Sequence, residues 1–356
     1  METALYHPVG GFYEVSAGPG RGGADFLTSP EIGPLFGSVL ARALDRWWGE
    51  AGRPDPFFVL EAGAGPGSLA ASILAARPSC SPALRYVLVE RSASLRRRQS
   101  ERLWIEPAGQ VLGPVLAPDP DEAPGPVPGS GPLVASLAAL PSGPFEGVVL
   151  ANELLDNLPF RILERSARGW DEVRVGADLS EVLVAAPPEV AALAGRLAPA
   201  AEPGSRVPLQ EQAAAWLAAA LKCVREGRVV VIDYAGTTAS MAGRPWREWL
   251  RTYRSHGPGG HPLEHLGGQD ITSEVALDQL AAVRRPSGES TQADFLRAHG
   301  IDELATDARS RWQERAHVGD LAAVREASRV QEASALTDMD GLGAFRVVEW
   351  VVGLPG

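Results

Sequence analysis

The sequence predicts an α/β protein built on an open, mostly parallel sheet, and three observations carry that prediction. A short apolar run, Phe57 to Leu60, leads straight into a glycine-spaced turn and a helix. A second run, Arg85 to Glu90 (RYVLVE), follows one helix later and ends in an acid. Three more apolar runs, Phe145 to Ala151, Arg228 to Tyr234 and Phe345 to Val352, recur with helical segments between them. Strands that are apolar on both faces and alternate with helices belong to doubly wound sheets. No internal repeat points to another architecture.

Residues 1–27 are glycine-rich and predict irregular chain. Thr28-Ser29-Pro30-Glu31 then reads as a helix start: Thr28 and Glu31 have capping-box spacing, and Pro30 suits a first turn. Leu35, Phe36, Val39, Leu40, Ala43, Leu44 and Trp47 share one face of the helix that follows, so it docks on the core. The loop before it, with Asp25, Thr28, Ser29 and Glu31, can also close over a ligand.

The central motif is FFVLEAGAGPG, residues 57–67. Glu61 ends the strand, glycines stand at 63, 65 and 67, and Ser68 to Ala76 predicts a helix. Glycine lets the backbone turn sharply and lets a ligand approach it closely. The spacing is G-x-G-x-G, because position 68 is Ser. That turns the reading away from a dinucleotide pyrophosphate loop and toward S-adenosylmethionine, which has no phosphate to cradle. Glu90 lies 23 residues beyond Gly67. In a doubly wound sheet it ends the neighbouring strand, where a carboxylate can accept hydrogen bonds from both ribose hydroxyls.

Ser92 to Leu103 predicts a basic-faced helix, and residues 106–132 a Pro- and Gly-rich surface insertion. Leu133 to Leu140 fits either a strand or a short helix. Asn152, Glu153 and Asp156 follow the 145–151 strand directly, at a carboxyl strand end. Residues 160–210 predict an inserted β-rich subdomain, and Gln210 to Arg225 a helix. Residues 244–265 read as polar and irregular after a short helix. Asp270 to Ala282 and Gln292 to His299 have helical character, and 309–334 predicts one long helix or a pair. The expected organisation is a lid and docking helix at 1–50 and a binding core at 51–159. The insert occupies 160–210, and 211–356 returns to the sheet with further helices.

Composition limits the alternatives. The formal net charge is -11, which argues against nucleic acid as the main partner, since phosphate contacts need a basic surface. Two cysteines, Cys80 and Cys223, cannot build a disulfide framework or a cysteine zinc site, which fits a reducing cytoplasm. No apolar run reaches the roughly 18 residues of a membrane span, and METALYHPVGG does not read as a signal peptide.

Taken together, these residues resemble the MidA family of class I S-adenosylmethionine-dependent methyltransferases, which includes the mitochondrial arginine methyltransferase that helps assemble respiratory complex I. The resemblance runs through GGFY at 10–13, DFLTSPEIGPLFG at 25–37, LEAGAGPGSLA at 60–70, LVERSASLRRRQ at 88–99 and ANELLDNLPF at 151–160. VIDYAG at 231–236, the 251–272 segment and TQADFLRAHGI at 291–301 complete it. Ala235 stands where the family has glycine after DY, Pro66 replaces the loop arginine, and the 106–132 insert is atypical. The resemblance implies a seven-stranded Rossmann-like sheet whose last strand, Phe345 to Val352, is antiparallel. It implies S-adenosylmethionine bound by Glu61, Gly63, Gly65 and Gly67, with Glu90 on the ribose. From its chemistry alone, Glu61 suits either the ligand's amino group or the loop amides.

Methyl transfer is an in-line displacement that must orient the acceptor and remove a proton. A guanidinium acceptor stays protonated in water and is best oriented by carboxylates. Glu153 and Asp156, three apart, share one face if a helical turn starts there, and Asn152 can hold the acceptor or the amine. The same residues also fit plain capping of that turn. Asp233 and Tyr234 end the next strand and either line the acceptor pocket or pack against the insert. His256, in the family-like YRSH segment, is a candidate substrate contact. With His261 and His265 it makes a poor metal site, because GPGG interrupts any helix between them. The expected function is methylation of a partner protein on arginine, with a respiratory-complex subunit as a possible acceptor and a homodimer possible. The alternatives are a small-molecule methyltransferase on the same scaffold and a non-catalytic binding factor.

Overall fold

The computed structural model describes residues 1–15, 28–113, 127–254 and 257–354. Much of the expected lid (16–27) and the middle of the Pro- and Gly-rich insertion (114–126) lie outside the described residues. Two short helices, α1 (Glu2–Tyr6) and α2 (Phe12–Val15), open the chain where glycine content predicts irregular structure. Leu5, Phe12 and Tyr13 pack on Trp249 and Ile271, and that tertiary burial outweighs the local glycines. The helix expected from residue 28 is two helices, α3 (Ser29–Ile32) and α4 (Pro34–Glu50). The backbone at Gly33 is extended, and a Cβ there would lie 2.1 Å from the Glu332 side chain. Only half of the capping box forms: the Thr28 hydroxyl makes no cap bond, whereas the Glu31 carboxyl accepts from the Thr28 backbone. Glu332 Oε2 instead accepts from Leu35 N at 3.0 Å, capping α4 from the far end of the chain.

The sheet core follows: β1 (Phe57–Ala62), α5 (Ser68–Ala75), β2 (Leu84–Val89), α6 (Ala93–Gln99), α7 (Ala108–Leu112), β3 (Leu133–Leu137) and β4 (Phe145–Asn152). Every residue of β1 and β2 is buried, as their apolar runs require. The insert contains β5 (Arg161–Ser166), β6 (Gly169–Val175), β7 (Glu181–Ala185), α8 (Pro188–Leu197) and β8 (Arg206–Leu209). It makes its own antiparallel sheet, in the order β7-β6-β5-β8, with α8 packed on Trp170 and Leu163.

The chain returns through α9 (Glu211–Cys223) to β9 (Val224–Asp233). Next come β10 (Ala235–Gly236), α10 (Thr238–Ala242), α11 (Trp246–Trp249), β11 (Leu250–Arg254), β12 (Gly257–Pro258), β13 (Asp270–Ser273), β14 (Val275–Ala276) and α12 (Leu277–Val283). The helix expected over 270–282 therefore starts only at Leu277. Residues 270–273 pair instead with β11, antiparallel, and bury every side chain. The remaining elements are β15 (Gly288–Thr291), α13 (Gln292–Ala298), the hairpin α14 (Ile301–Arg315) and α15 (Leu321–Thr337), and β16 (Arg346–Val352).

The main sheet has seven strands in the order β15-β16-β9-β4-β1-β2-β3. β16 is antiparallel to both β9 and β15, as the resemblance implies for the last strand. One apolar cluster packs α4 and α5 on one face, and a second packs α9 on the other. Strands β1, β4 and β9 approach one another through Gly147 and Gly227. A Cβ on Gly147 would lie 1.9 Å from Phe58 O, and one on Gly227 1.8 Å from Gly147 O. Among the described residues no helix is long and apolar enough to cross a membrane.

Candidate active site

The parallel strands β1, β2, β4 and β9 deliver their carboxyl ends to one edge, where α/β sheets bind ligands. A cavity of about 440 Å³ opens there. Gly63 and Gly65 form part of its lining, with φ of 71° and 51°. Both angles are left-handed, which glycine adopts without penalty. The loop is tied on both sides. Gly63 N donates to Val89 O at 2.9 Å, and Gly65 N donates to Glu90 Oε2 at 2.9 Å. Gln99 Nε2 donates to Gly65 O at 2.8 Å, and Gln99 Oε1 accepts from Ser136 Oγ at 2.6 Å. Gly67 starts α5 in the left-handed region and is not part of the lining.

Glu90 sits in the wall. Its carboxylate accepts from Gly65 N and, through Oε1, from Ser92 N at 2.7 Å. A carboxylate oxygen has a second lone-pair site, so both oxygens can still accept from ribose hydroxyls. Burial pushes the Glu90 carboxyl above its usual range, against the two backbone donors that lower it. Tyr6 and Tyr13 come from α1 and α2 to the same cavity, and the Arg91 guanidinium lies 4.4 Å over the Tyr6 ring. The other end is apolar, with Leu140, Leu158, Trp216 and Ala219 offering a surface for a flat base.

Glu153 faces the cavity from the end of β4, with a left-handed φ of 50°. Its N donates to Ile232 O at 2.8 Å, which fixes the turn against β9. Its Oε1 accepts from Ser29 N at 3.0 Å and from Asn152 Nδ2 at 3.1 Å. Burial pushes the Glu153 carboxyl up to about 7, while the Ser29 and Asn152 donors hold it down and Glu31 adds to the rise. Asn152 Oδ1 is buried without a hydrogen-bond partner among the described residues. Buried polar atoms are normally paired; Asn152 itself is not part of the cavity lining and stands behind Glu153, to whose Oε1 its amide donates.

Besides Gly67, the structure departs from the sequence reading at four positions. Glu61 does not face the cavity. It lies on the opposite face of β1, where Tyr86 Oη donates to its Oε2 at 2.7 Å and burial pushes its carboxyl up to about 8. Asp156 does not share a helical face with Glu153, because a 3₁₀ turn over Leu155–Asn157 follows the left-handed Glu153 and turns Asp156 into the interior. Asp233 caps that turn: its Oδ2 accepts from Leu155 N at 3.1 Å and Asp156 N at 3.4 Å. Tyr234 packs against Phe345 with the rings tilted and their centroids 5.6 Å apart, has the Arg251 guanidinium 5.7 Å away, and lies outside the cavity lining. Burial and the repulsion of neighbouring acids hold both Asp156 and Asp233 well above the usual carboxylate range. Thr28 lines the cavity and Ser29 reaches it through Glu153, whereas His256 and Asp25 fall outside the described residues. Sequence reasoning missed Tyr6, Tyr13, Trp216 and Gln99; of these Tyr13 and Gln99 carried a signal, inside the GGFY and LVERSASLRRRQ segments.

The profile of a family described as S-adenosyl-L-methionine-dependent methyltransferase matches residues 39–293. The Xenopus tropicalis protein arginine methyltransferase NDUFAF7, mitochondrial, is 27% identical over 322 residues, 85% of this chain and 71% of that protein. The human protein of that name is 30% identical over 186 residues, 50% of this chain and 41% of that protein. A superfamily protein from Burkholderia thailandensis, crystallised bound to S-adenosyl-homocysteine, is 28% identical with a TM-score of 0.78, covering 100% of this chain and 87% of its own. These relatives overturn the cytoplasmic placement expected from cysteine content, because the arginine methyltransferases matched here are mitochondrial. Two buried free thiols exclude a disulfide framework but do not distinguish one compartment from another.

Proposed function

This chain belongs to the S-adenosyl-L-methionine-dependent methyltransferase family, and from that premise we propose that it methylates arginine in a partner protein, with Glu153 receiving the acceptor. Its methyl donor, S-adenosylmethionine, supplies an electrophilic methyl group on a sulfonium. In this reading Glu90 accepts from the ribose hydroxyls, Gly63 and Gly65 let the donor lie against bare backbone, and Trp216 with Leu140 covers the base. Asn152, outside the lining, serves through the bond its amide donates to Glu153 Oε1.

The observation that carries the acceptor assignment is the Glu153 carboxylate, held on a left-handed turn by two fixed donors and directed into the cavity. As the carboxylate it accepts an N–H of a guanidinium, orients it, and takes the proton that methylation must release. With the carboxyl pushed up to about 7, that form grows with pH through neutrality, so activity rises over the same range. Asp156 and Asp233 act behind Glu153, one as a buried acid whose own ionisation Glu153 opposes and the other as the cap of the turn that follows it.

Support for protein arginine over a small molecule comes from the relatives, which are named as protein arginine methyltransferases. The order of TSPEI and NExxDxLP supports the MidA grouping, which makes a respiratory-complex subunit the first acceptor to test. The expected second copy has a suitable surface. β7 is an edge strand exposed along its whole length, with Val182, Leu183 and Val184 free to pair edge to edge. Loss of a dimer in Val182→Lys, read by light scattering, tests that contact. The main test is transfer of labelled methyl from S-adenosylmethionine into a lysate, split into protein and small-molecule fractions. Label in the protein fraction as methylarginine is expected, and Glu153→Gln abolishes it while S-adenosyl-homocysteine affinity stays unchanged. Label confined to small molecules overturns the arginine reading, and unchanged turnover in Glu153→Gln overturns the role of Glu153.

A further inference from the structure

The TSPEI segment and the TQADF segment are far apart in the chain, yet they meet through one side-chain bond. Ser29 Oγ donates to Gln292 Oε1 at 3.1 Å, across 263 positions of sequence. Both residues are fully buried, and Gln292 is not part of the cavity lining. The orientation of the Gln292 amide is fixed by chemistry. Its other end faces Leu336 O at 3.2 Å, and a carbonyl can only accept, so that end is the NH₂ and the oxygen is left for Ser29. The Gln292 backbone is pinned as well, its N donating to Phe345 O at 2.7 Å. Ser29 therefore stands on an anchor set by α13, the end of α15 and the loop before β16. From that anchor its own N–H points to Glu153 Oε1 at 3.0 Å.

A second bond from α15 works on the same segment. Glu332, one helical turn before Leu336, caps α4 at Leu35 N. α3 is thus held at both ends by one helix, through Gln292 at Ser29 and through Glu332 just past Gly33. A four-residue helix has little stability of its own, so its place depends on these two contacts.

We propose that Gln292 is a positioning residue for Glu153, setting the direction of its carboxylate through Ser29 rather than touching any ligand. The inference rests on the reading of Glu153 given above. The titratable groups around Glu153 are Glu31 on α3, Asp156 on the turn after β4 and Asp233 at the end of β9; Glu31 opposes its ionisation, while burial and the charge of Glu153 itself hold the other two toward the neutral acid. Only neutral donors, Ser29 N–H and the Asn152 amide, favour the charged form. Releasing Ser29 removes one of the two, and the carboxyl then holds its proton to higher pH.

The test reads the Glu153 carboxyl directly and needs no acceptor. The full chain is labelled with ¹³C at glutamate carboxyls, the Glu153 signal is identified by its loss in Glu153→Gln, and its titration is followed by NMR. Gln292→Met keeps the volume and removes both side-chain bonds; Ser29→Ala removes only the hydroxyl. Each is expected to move the midpoint upward by about one pH unit. The double variant is expected to match either single one, because the two changes break one chain of contacts. An unmoved midpoint in Ser29→Ala, or additive shifts in the double variant, overturns the proposal. Failure of the catalytic reading looks different: turnover persists in Glu153→Gln while the titration still responds to Gln292.

Discussion

The substitution Glu61→Gln should flatten the dependence of stability on pH between about 4.5 and 8. Glu61 is 4% exposed, with Tyr86 Oη and Ala70 N as its donors, and burial raises its carboxyl from 4.5 to about 8. Between those values the unfolded chain has released the proton and the folded chain still holds it. The folded state binds more protons, so stability falls as pH rises. Stability is full below 4.5 and the loss is complete above about 8, which amounts to about 5 kcal/mol across the window, or about 1.4 kcal/mol per pH unit. The amide that replaces the carboxyl is neutral in both states and removes this slope. Its one oxygen can accept from only one of Tyr86 Oη and Ala70 N, and whatever this costs does not change with pH, so the slope is the quantity to read. Urea unfolding followed by tryptophan fluorescence, at several pH values for both chains, measures it. Parallel stability curves would refute the argument. S-adenosyl-homocysteine affinity supplies a second readout. Because Glu61 lies on the far face of β1, affinity should stay within about threefold, whereas the loss of a charged contact to the ligand would cost about tenfold or more.

Glu90→Ala should weaken S-adenosyl-homocysteine binding by one to two orders of magnitude in calorimetry, because it removes the carboxylate proposed to accept from the ribose and frees Gly65 N and Ser92 N together. Glu332→Ala should lower unfolding free energy by about 1–2 kcal/mol in urea, as expected for loss of a helix cap at a buried site. Gly147→Ala should prevent folding or cost more than about 3 kcal/mol, judged by soluble yield and thermal unfolding, since its Cβ meets the Phe58 backbone at 1.9 Å with a φ of 147°. Trp216→Ala should reduce S-adenosyl-homocysteine affinity about tenfold with little effect on thermal stability, because Trp216 is only partly buried.

The sheet was legible because its strands are buried on both faces. A run such as FFVLEA or RYVLVE has one environment along its whole length, and burial selects apolar residues at every position. The same property hid the orientation of Glu61. In a half-buried strand, alternation shows which face a residue takes, whereas a strand apolar throughout carries no such mark. β15 went unseen for the opposite reason: Gly288–Thr291 is a polar edge whose place is set by pairing with β16. Glu90 was legible because its position depends only on strand length and on the one connection back to the glycine loop. Glu153 came from the same logic, one residue past β4.

What failed were statements that needed the exact path of a turn. Spacing predicts that residues 153 and 156 share a face if the turn is helical, and a single left-handed φ at Glu153 turns Asp156 inward to Asp233. Asp233 then has a structural task, capping the turn that follows Glu153, that no local pattern in VIDYAG reveals. The capping box formed only in its Glu31 half, and the N-terminus of α4 is completed by Glu332 from α15, which no local pattern reveals. The tie between Ser29 and Gln292 is the clearest case. Each residue lies in a segment that the family resemblance singles out, but only the folded chain brings the two segments into one hydrogen-bonded path to the cavity. The segments that carry the resemblance are thus of two physical kinds. Ala62, Gly63 and Gly65 of LEAGAGPG and Glu153 and Leu154 of NELLD line the cavity, whereas TQADF meets it from behind, through a bond to the residue whose N–H donates to Glu153.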